Sequence, residues 1–434
     1  MKGLIFTYAL TYGGSLAAVV NPFYGLLIYV CFAIIKPDYL WHYSVPVGNY
    51  SRIIAIALLV GWAIAGFGRW DFGRAKLVVA ALVGFLVWNA ASAAMAPNGE
   101  VAWNAVESLF KIVLPFVVGI TIIDSVTQLK QLAWVIMLSQ GFVAYEANLS
   151  YLQGNNWLKD YGFGGMDNNC VAIALVCAAG FAFFLGLAET KHWRRWLAFF
   201  AAGLMAHAIM FSMSRGGMVA LIITGVVSFA LIPKRPVYYA YLALAVAVGL
   251  RLAGPPVIER FSSAFVDEEE RDESAQSRVI MWGNCVDLMI ANPAFGVGPK
   301  HFPLVVQQFG RYNEGKEAHT LWLQVGAETG AVGLGLLLTF YLAAMYRCWR
   351  LARTLDPYAP AAANSCRMII ASLVGFMVAA QFVSLVGLEI PYYVALIGAG
   401  YLKLASRPAV AYEYVQSPTM PQLQQVQCYP QPCP

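Results

Sequence analysis

Apolar stretches recur along the whole chain, at residues 4–35, 51–67, 75–95, 105–123, 131–150, 168–188, 195–213, 215–232, 236–252, 319–346, 365–387 and 390–404, with polar linkers between them. A helix that crosses a bilayer uses about 20 apolar residues, so the pattern predicts about twelve transmembrane helices. The first stretch is the ambiguous one. It is too long for one straight span, and Asn21-Pro22 interrupts it. Proline removes a backbone donor and kinks a helix. One net crossing is the favoured reading, with both chain ends on the same side; two full crossings would move Lys2 to the other side.

The linkers sort by charge. Arg69, Arg74 and Lys76 fill one, and Lys191, His192, Arg194 and Arg195 another. Pro233-Lys234-Arg235-Pro236 is a third, and Arg347, Arg350, Arg353 and Arg367 surround a fourth. These alternate with linkers poor in Lys and Arg, such as residues 96–103 and 151–167. The basic set is expected in the cytoplasm by the positive-inside rule, which puts the other set outside. The chain then divides into an N-terminal helix bundle (residues 1–252), a large outer loop (253–318), C-terminal spans (319–406) and a cytoplasmic tail (407–434). The tail is rich in Pro and Gln and reads as disordered.

The outer loop carries an acidic run, residues 267–273, and then an amphipathic helix over residues 277–291. Val279, Trp282, Val286, Met289 and Ile290 are expected to share its apolar face. Asn292-Pro293 stops that helix, and the glycine-rich turn Gly296-Val297-Gly298 follows.

Composition narrows the class. Of the 434 residues, 60% are hydrophobic and 12% charged, against about 25% charged in a soluble domain. The mean hydropathy is +0.63. Too few charges remain to cover a water-soluble fold of this size. Disordered, collagen-like and disulfide-scaffold classes fail on the same figures. The net charge of +5 sits in short linkers and does not point to nucleic acid. The eight cysteines form no CxxC pair and no zinc pattern. The outer loop has one, Cys285, so it cannot hold an internal disulfide. The first apolar run lacks a small-residue cleavage site and reads as a membrane segment, not a signal peptide.

Three basic residues fall at or beyond the outer boundary. Arg215 opens a span whose N-terminus points outward, in Met213-Ser214-Arg215-Gly216-Gly217. The unpaired amides and positive dipole of that helix end favour an anion. Ser214 is a natural N-cap, Gly216 allows close approach to the backbone, and a guanidinium grips phosphate bidentately. A boundary arginine reaching for lipid headgroups gives the same sequence. Arg278 begins the loop helix one turn before Trp282; pairing with the acidic run is its alternative role. His319 opens the next span, and imidazole is the side chain whose ordinary pKa suits proton transfer near neutrality. Lys111 and His207 are second-tier candidates for lining a substrate cavity, ahead of Arg52 and Arg251. Glu317 and Glu328 read as weak candidates, Gly326 and Gly330 as a helix-packing pair, and residues 164–169 as a helix cap.

The order Ser214-Arg215-Gly216-Gly217, Arg278-x-x-x-Trp282, Asn292-Pro293-x-x-Gly296-Val297-Gly298, His319-x-Leu321-Trp322, and Glu328-x-Gly330 resembles the O-antigen ligase and polymerase superfamily over about residues 160–345. The N-terminal third looks like the ligase branch known as O-glycosylation ligases. The resemblance implies a GT-C-like membrane glycosyltransferase of the bacterial inner membrane, with its active site facing the periplasm. It implies a glycan donor on undecaprenyl diphosphate and a hydroxyl of lipid A–core as acceptor, with Arg215, Arg278 and His319 in the catalytic roles. Ser214, Gly216, Trp282, Lys111 and His207 are then expected at the substrate. The resemblance also implies that no metal or other cofactor is needed, and the sequence agrees in having no DxD motif. A polymerase or a protein O-oligosaccharyltransferase would share this donor chemistry. A transporter of lipid-linked sugars is the reading from another class, disfavoured by the lack of an internal repeat.

Overall fold

The computed structural model describes residues 1–234, 236–262, 273–310 and 315–407. The acidic run up to residue 272 and the tail beyond residue 407 lie outside the described residues. Everything described is helix, turn or irregular chain, apart from one isolated bridge between Phe163 and Met166. In chain order the main helices are α1 (Lys2–Val20), α2 (Pro22–Ile35), α3 (Tyr50–Ile64), α4 (Lys76–Ala94), α5 (Gly99–Ile122), α6 (Val126–Leu152), α7 (Asn168–Ala188), α8 (His192–Phe211), α9 (Arg215–Leu231), α10 (Pro236–Ser262), α11 (Glu273–Ala291), α12 (Leu321–Leu355), α13 (Pro360–Ala379) and α14 (Ile390–Leu404). Among the described residues, eight helical segments are long and apolar enough to cross a membrane, and α3, α9 and α14 are shorter apolar helices. The chain is thus an all-helical, polytopic membrane protein.

The first apolar run is not one net crossing. Asn21 is extended (φ −142°, ψ 107°), its side chain accepts the Phe23 amide at 3.0 Å, and Pro22 takes the first position of α2. The two helices fold back on each other: Ala18 packs where Gly25 has no side chain, and Ile28 where Gly14 has none. Residues 18 and 25, 14 and 28, and 3 and 41 meet in antiparallel register. Lys2 therefore lies at the same end of the bundle as Lys36, as two crossings require.

At the centre α7 is buried on nearly all sides, with Ala172, Leu175, Val176, Phe181 and Phe184 in the core. It packs on α13 and α8. Gly180 and Gly375 admit Thr224 of α9, which binds its own helix carbonyl at Ala220. By contrast α10 is almost entirely exposed, an apolar helix suited to lipid contact.

The loop helix α11 forms as expected, but on a rotated face. Met281, Asn284, Cys285 and Leu288 are buried, while Val279, Ile280 and Ile290 are exposed. The reason is its partner: α11 lies on the start of α12, where Gly326 makes room for the Met289 thioether. Gly330, unlike Gly326, does not pack one helix on another. It breaks α12 (φ 71°, ψ 179°), and the Ala294 backbone occupies the space a side chain would need. The carbonyls freed by the break find donors: Val297 and Gly298 amides donate to Ala327 O and Glu328 O (3.0 and 2.9 Å), and Trp88 Nε1 to Thr329 O (2.9 Å). The loop is thereby stitched into the bundle.

Candidate functional site

Three helix N-termini meet at one end of the bundle, those of α7, α9 and α12. Asp167 caps α7, accepting the Cys170 amide at 2.8 Å. Ser214 caps α9, accepting the Gly217 amide at 3.2 Å. The two caps are tied by the Asn168 side chain, which donates to Ser212 O at 2.9 Å. Residues 380–389 form a strap between α13 and α14 where a longer span was expected, since α13 ends at Ala379. The strap holds the other two helix ends together. Ser384 Oγ accepts the Thr320 amide (3.2 Å), Ala380 O accepts the Leu321 amide (2.8 Å), and the Phe382 ring fills the space beside Gly216. Arg215, first residue of α9, and His319, just before α12, are thus brought to the same end.

Beside His319 lies an open cavity of about 400 Å³, lined by Ser277, Arg278, Met281, Lys316, Glu317 and His319 among others. The loop helix is anchored over it by Trp282, whose Nε1 donates to Ala318 O at 3.0 Å. His319 sits at φ 52°, and nearby Met213 and Lys300 are also left-handed (φ 60° and 59°). Such a conformation costs a non-glycine residue about 1–3 kcal/mol, and it persists only where the surroundings impose it.

Behind the cavity runs a chain of carboxylates and amides. Glu328 is 5% exposed and accepts the Lys300 and Phe302 amides at 2.9 and 3.4 Å. Gln324 Nε2 donates to Glu328 Oε1 (2.9 Å) and Glu317 Oε2 (2.7 Å), and its Oε1 accepts the Ala318 amide (3.2 Å). Lys300 Nζ lies 3.7 Å from Glu317. Burial and the nearby Arg278 hold His319 below the ordinary histidine pKa, against the opposing pull of Glu317 and Asp167. Burial pushes Asp167 upward, but hydrogen bonds from Cys170 and Asn169 and the charge of His319 outweigh it and leave its carboxyl below the usual range. The arrangement can bind an anion and accept a proton at the same place.

The candidates divide accordingly. Arg278 and His319 share the cavity; Ser214, Arg215 and Gly216 build the adjoining helix start; Trp282 fixes the loop helix. Lys111 does not line the cavity: it is exposed midway along α5 and pairs with Glu107 at 2.7 Å. Nor does His207, whose Nδ1 meets Asn148 Oδ1 between the rings of Tyr151 and Phe211. Sequence reasoning gave too little weight to Glu317, Gln324, Glu328 and Lys300. A carboxylate and an amide one turn apart inside a span were the available signal, because polar groups there are costly and face the protein interior. The strap carries no such mark in the sequence. Among the described residues, no three His, Cys, Asp or Glu side chains are grouped as a metal site requires.

Two stretches of the chain match known families. Residues 1–164 match a family of unknown function, ending three residues short of Asp167. A search of curated proteins gives no match. Residues 200–338 match the family described as O-Antigen ligase, a stretch that holds Ser214, Arg215, Arg278, Trp282, His319 and Glu328. That stretch is similar to the O-antigen ligase family, and it is the part of the chain that carries the cavity.

Proposed function

We propose that the protein is an O-antigen ligase, a membrane glycosyltransferase that moves a glycan from undecaprenyl diphosphate to a hydroxyl of lipid A–core. The observation that carries this reading is the cavity shared by Arg278 and His319, beside the helix start that bears Arg215. It lies at the end of the bundle away from the basic linkers, which the positive-inside rule makes periplasmic.

The chemistry follows from the residues. Charge grows on the diphosphate as the bond from the anomeric carbon to the leaving oxygen breaks. Arg215, with the amides of its helix end, and Arg278 stabilise that charge. His319, kept neutral by burial and by Arg278, takes the proton from the acceptor hydroxyl. The hydroxyl oxygen attacks the anomeric carbon opposite the departing diphosphate, so the configuration inverts. Positive charge from two guanidinium groups makes the reaction independent of metal in this reading.

The test is transfer by the purified protein, with an undecaprenyl diphosphate-linked glycan as donor. Lipid A–core, a second lipid-linked glycan and a Ser/Thr-bearing protein are supplied separately as acceptors. Product with lipid A–core, unchanged by EDTA and lost in His319→Ala, is the expected result. Product only with one of the other acceptors reassigns the enzyme to a polymerase or a protein glycosyltransferase, and full activity in His319→Ala removes the histidine as base.

A further inference from the structure

The proton-transfer step places a positive charge on His319 beside Arg278, which is already cationic. Something must offset that charge, and the carboxylate chain behind the cavity is built to do it. Glu317 lines the same cavity as His319 and Arg278. Its position is fixed from behind: Gln324 holds it at 2.7 Å and is itself held by Glu328 (2.9 Å) and the Ala318 amide (3.2 Å). Glu328 is buried and clamped by backbone amides of the loop that ends at Phe302. Both hydrogens of the Gln324 amide are thus spent on carboxylates. Gln324 and Glu328 serve as an anchor for one solvent-reaching acid.

We propose, resting on the ligase reading above, that Glu317 is the positioning carboxylate of His319, held by Gln324 and Glu328 so that it balances the charge the imidazole gains from the acceptor hydroxyl. In that step the acceptor O–H bond breaks and an N–H bond forms on His319. The oxygen electron pair makes the new bond to the anomeric carbon, and the pair of the broken C–O bond leaves on the diphosphate. Glu317 remains an anion throughout; it lowers the cost of the imidazolium without taking the proton, and acts through His319 only.

The charges acting on His319 are Arg278 from α11, Asp167 from the start of α7 and Glu317 from its own segment, and Arg215 opens the adjoining α9. Lys316 lines the cavity, and the strap brings no charge before Glu389. Asp167 already serves as the cap of α7. Lys300, 3.7 Å from Glu317, partly offsets that carboxylate.

The experiment is the pH profile of kcat/KM for glycan transfer by the full-length protein. Glu317→Gln keeps the hydrogen bond to Gln324 and removes only the charge. Its maximal kcat is expected to fall about tenfold, a part of what general base catalysis supplies. Its acid limb moves to lower pH, because an imidazole with one less negative neighbour holds its proton less well. Lys300→Gln moves the limb the opposite way, since it leaves Glu317 less offset, and this second variant keeps the test sound if Glu317→Gln folds poorly. A wild-type rate and an unmoved acid limb in Glu317→Gln, or an unmoved limb in Lys300→Gln, overturns the proposal. If His319→Ala remains active, the ligase mechanism itself fails. An inactive His319→Ala beside an unaffected Glu317→Gln removes only the role of Glu317.

Discussion

The two ends of the helix bundle use the same cations for opposite purposes. At the end with the basic linkers, positive side chains are absorbed by helix C-termini and by Asp124. Lys403 is buried and donates to Ile120 O (2.6 Å) and Ile123 O (2.9 Å) at the end of α5. Arg69, Lys403 and Arg407 gather within 3.7, 3.5 and 2.9 Å of Asp124. Arg195 donates to Glu189 O just beyond α7 at 2.8 Å, and Arg347 to Arg74 O. At α5 and α7 the negative dipole end thus meets a cation within the protein, as its field favours. At the other end helices begin rather than finish. Their amides favour an anion, yet Arg278 and Lys316 line an open cavity there with His319. There the cations stand with Glu317 on the wall of an open cavity, not at a helix C-terminus.

Substitutions at the cavity are expected to have the largest effect on transfer. His319→Ala is expected to lower transfer about 10²–10⁴-fold. Arg215→Ala and Arg278→Ala are each expected to lower kcat about 10²–10³-fold. Arg278→Lys should recover only part of the rate, because a point charge cannot reproduce the bidentate fork. The structural end should behave in the reverse manner. Lys403→Met leaves two buried carbonyls without their donor and costs about 1–3 kcal/mol of stability, while the rate per folded molecule stays at the wild-type level. Denaturation in detergent beside a transfer assay checks both halves. A Lys403 variant that is stable but inactive would erase the distinction.

Acidity provides a finer measure. Burial and Arg278 lower the His319 pKa, so its neutral, proton-accepting form persists below the usual histidine value of about 6.5. The acid limb of kcat/KM is expected below that value. Arg278→Gln should move the limb to higher pH on the residual activity, since one of the two causes of the depression is gone.

Much of this contrast was legible in the chain itself. The alternation of basic and non-basic linkers predicts the two ends, because charge within about one linker of a span is what sets orientation. Arg278 and His319 could be placed together because one begins the loop helix and the other ends the loop. The face of α11 was not legible. Val279 and Ile290 look like core by periodicity, but the partner of α11 is the start of α12, which covers the side bearing Met281, Cys285 and Leu288 instead. The break at Gly330 escaped for a related reason: a glycine inside an apolar run reads as helix packing unless the partner backbone is known, and here the partner is Ala294, 36 residues earlier. The strap at residues 380–389 was read as the end of a span because its composition is apolar.

The smallest expected effect concerns Lys111 and His207, the two polar candidates drawn from the interior of predicted spans. Depth in an apolar run points to a cavity, because an unpaired charge in hydrocarbon is costly. Each residue meets that requirement locally instead. Lys111 pairs with Glu107 one turn earlier on α5, and His207 shares a hydrogen bond with Asn148 of α6. The pairs answer the cost of a polar group in the span with no call on substrate. Lys111→Met with Glu107→Gln, and His207→Phe with Asn148→Leu, are therefore expected to leave both kcat and KM for donor and acceptor unchanged. KM for the donor is the sensitive readout, since a residue that touches the lipid diphosphate or the glycan would raise it even where kcat holds. A raised donor KM in either double variant would extend the functional end of the bundle to a part of α5 or α8 that its cavity does not reach.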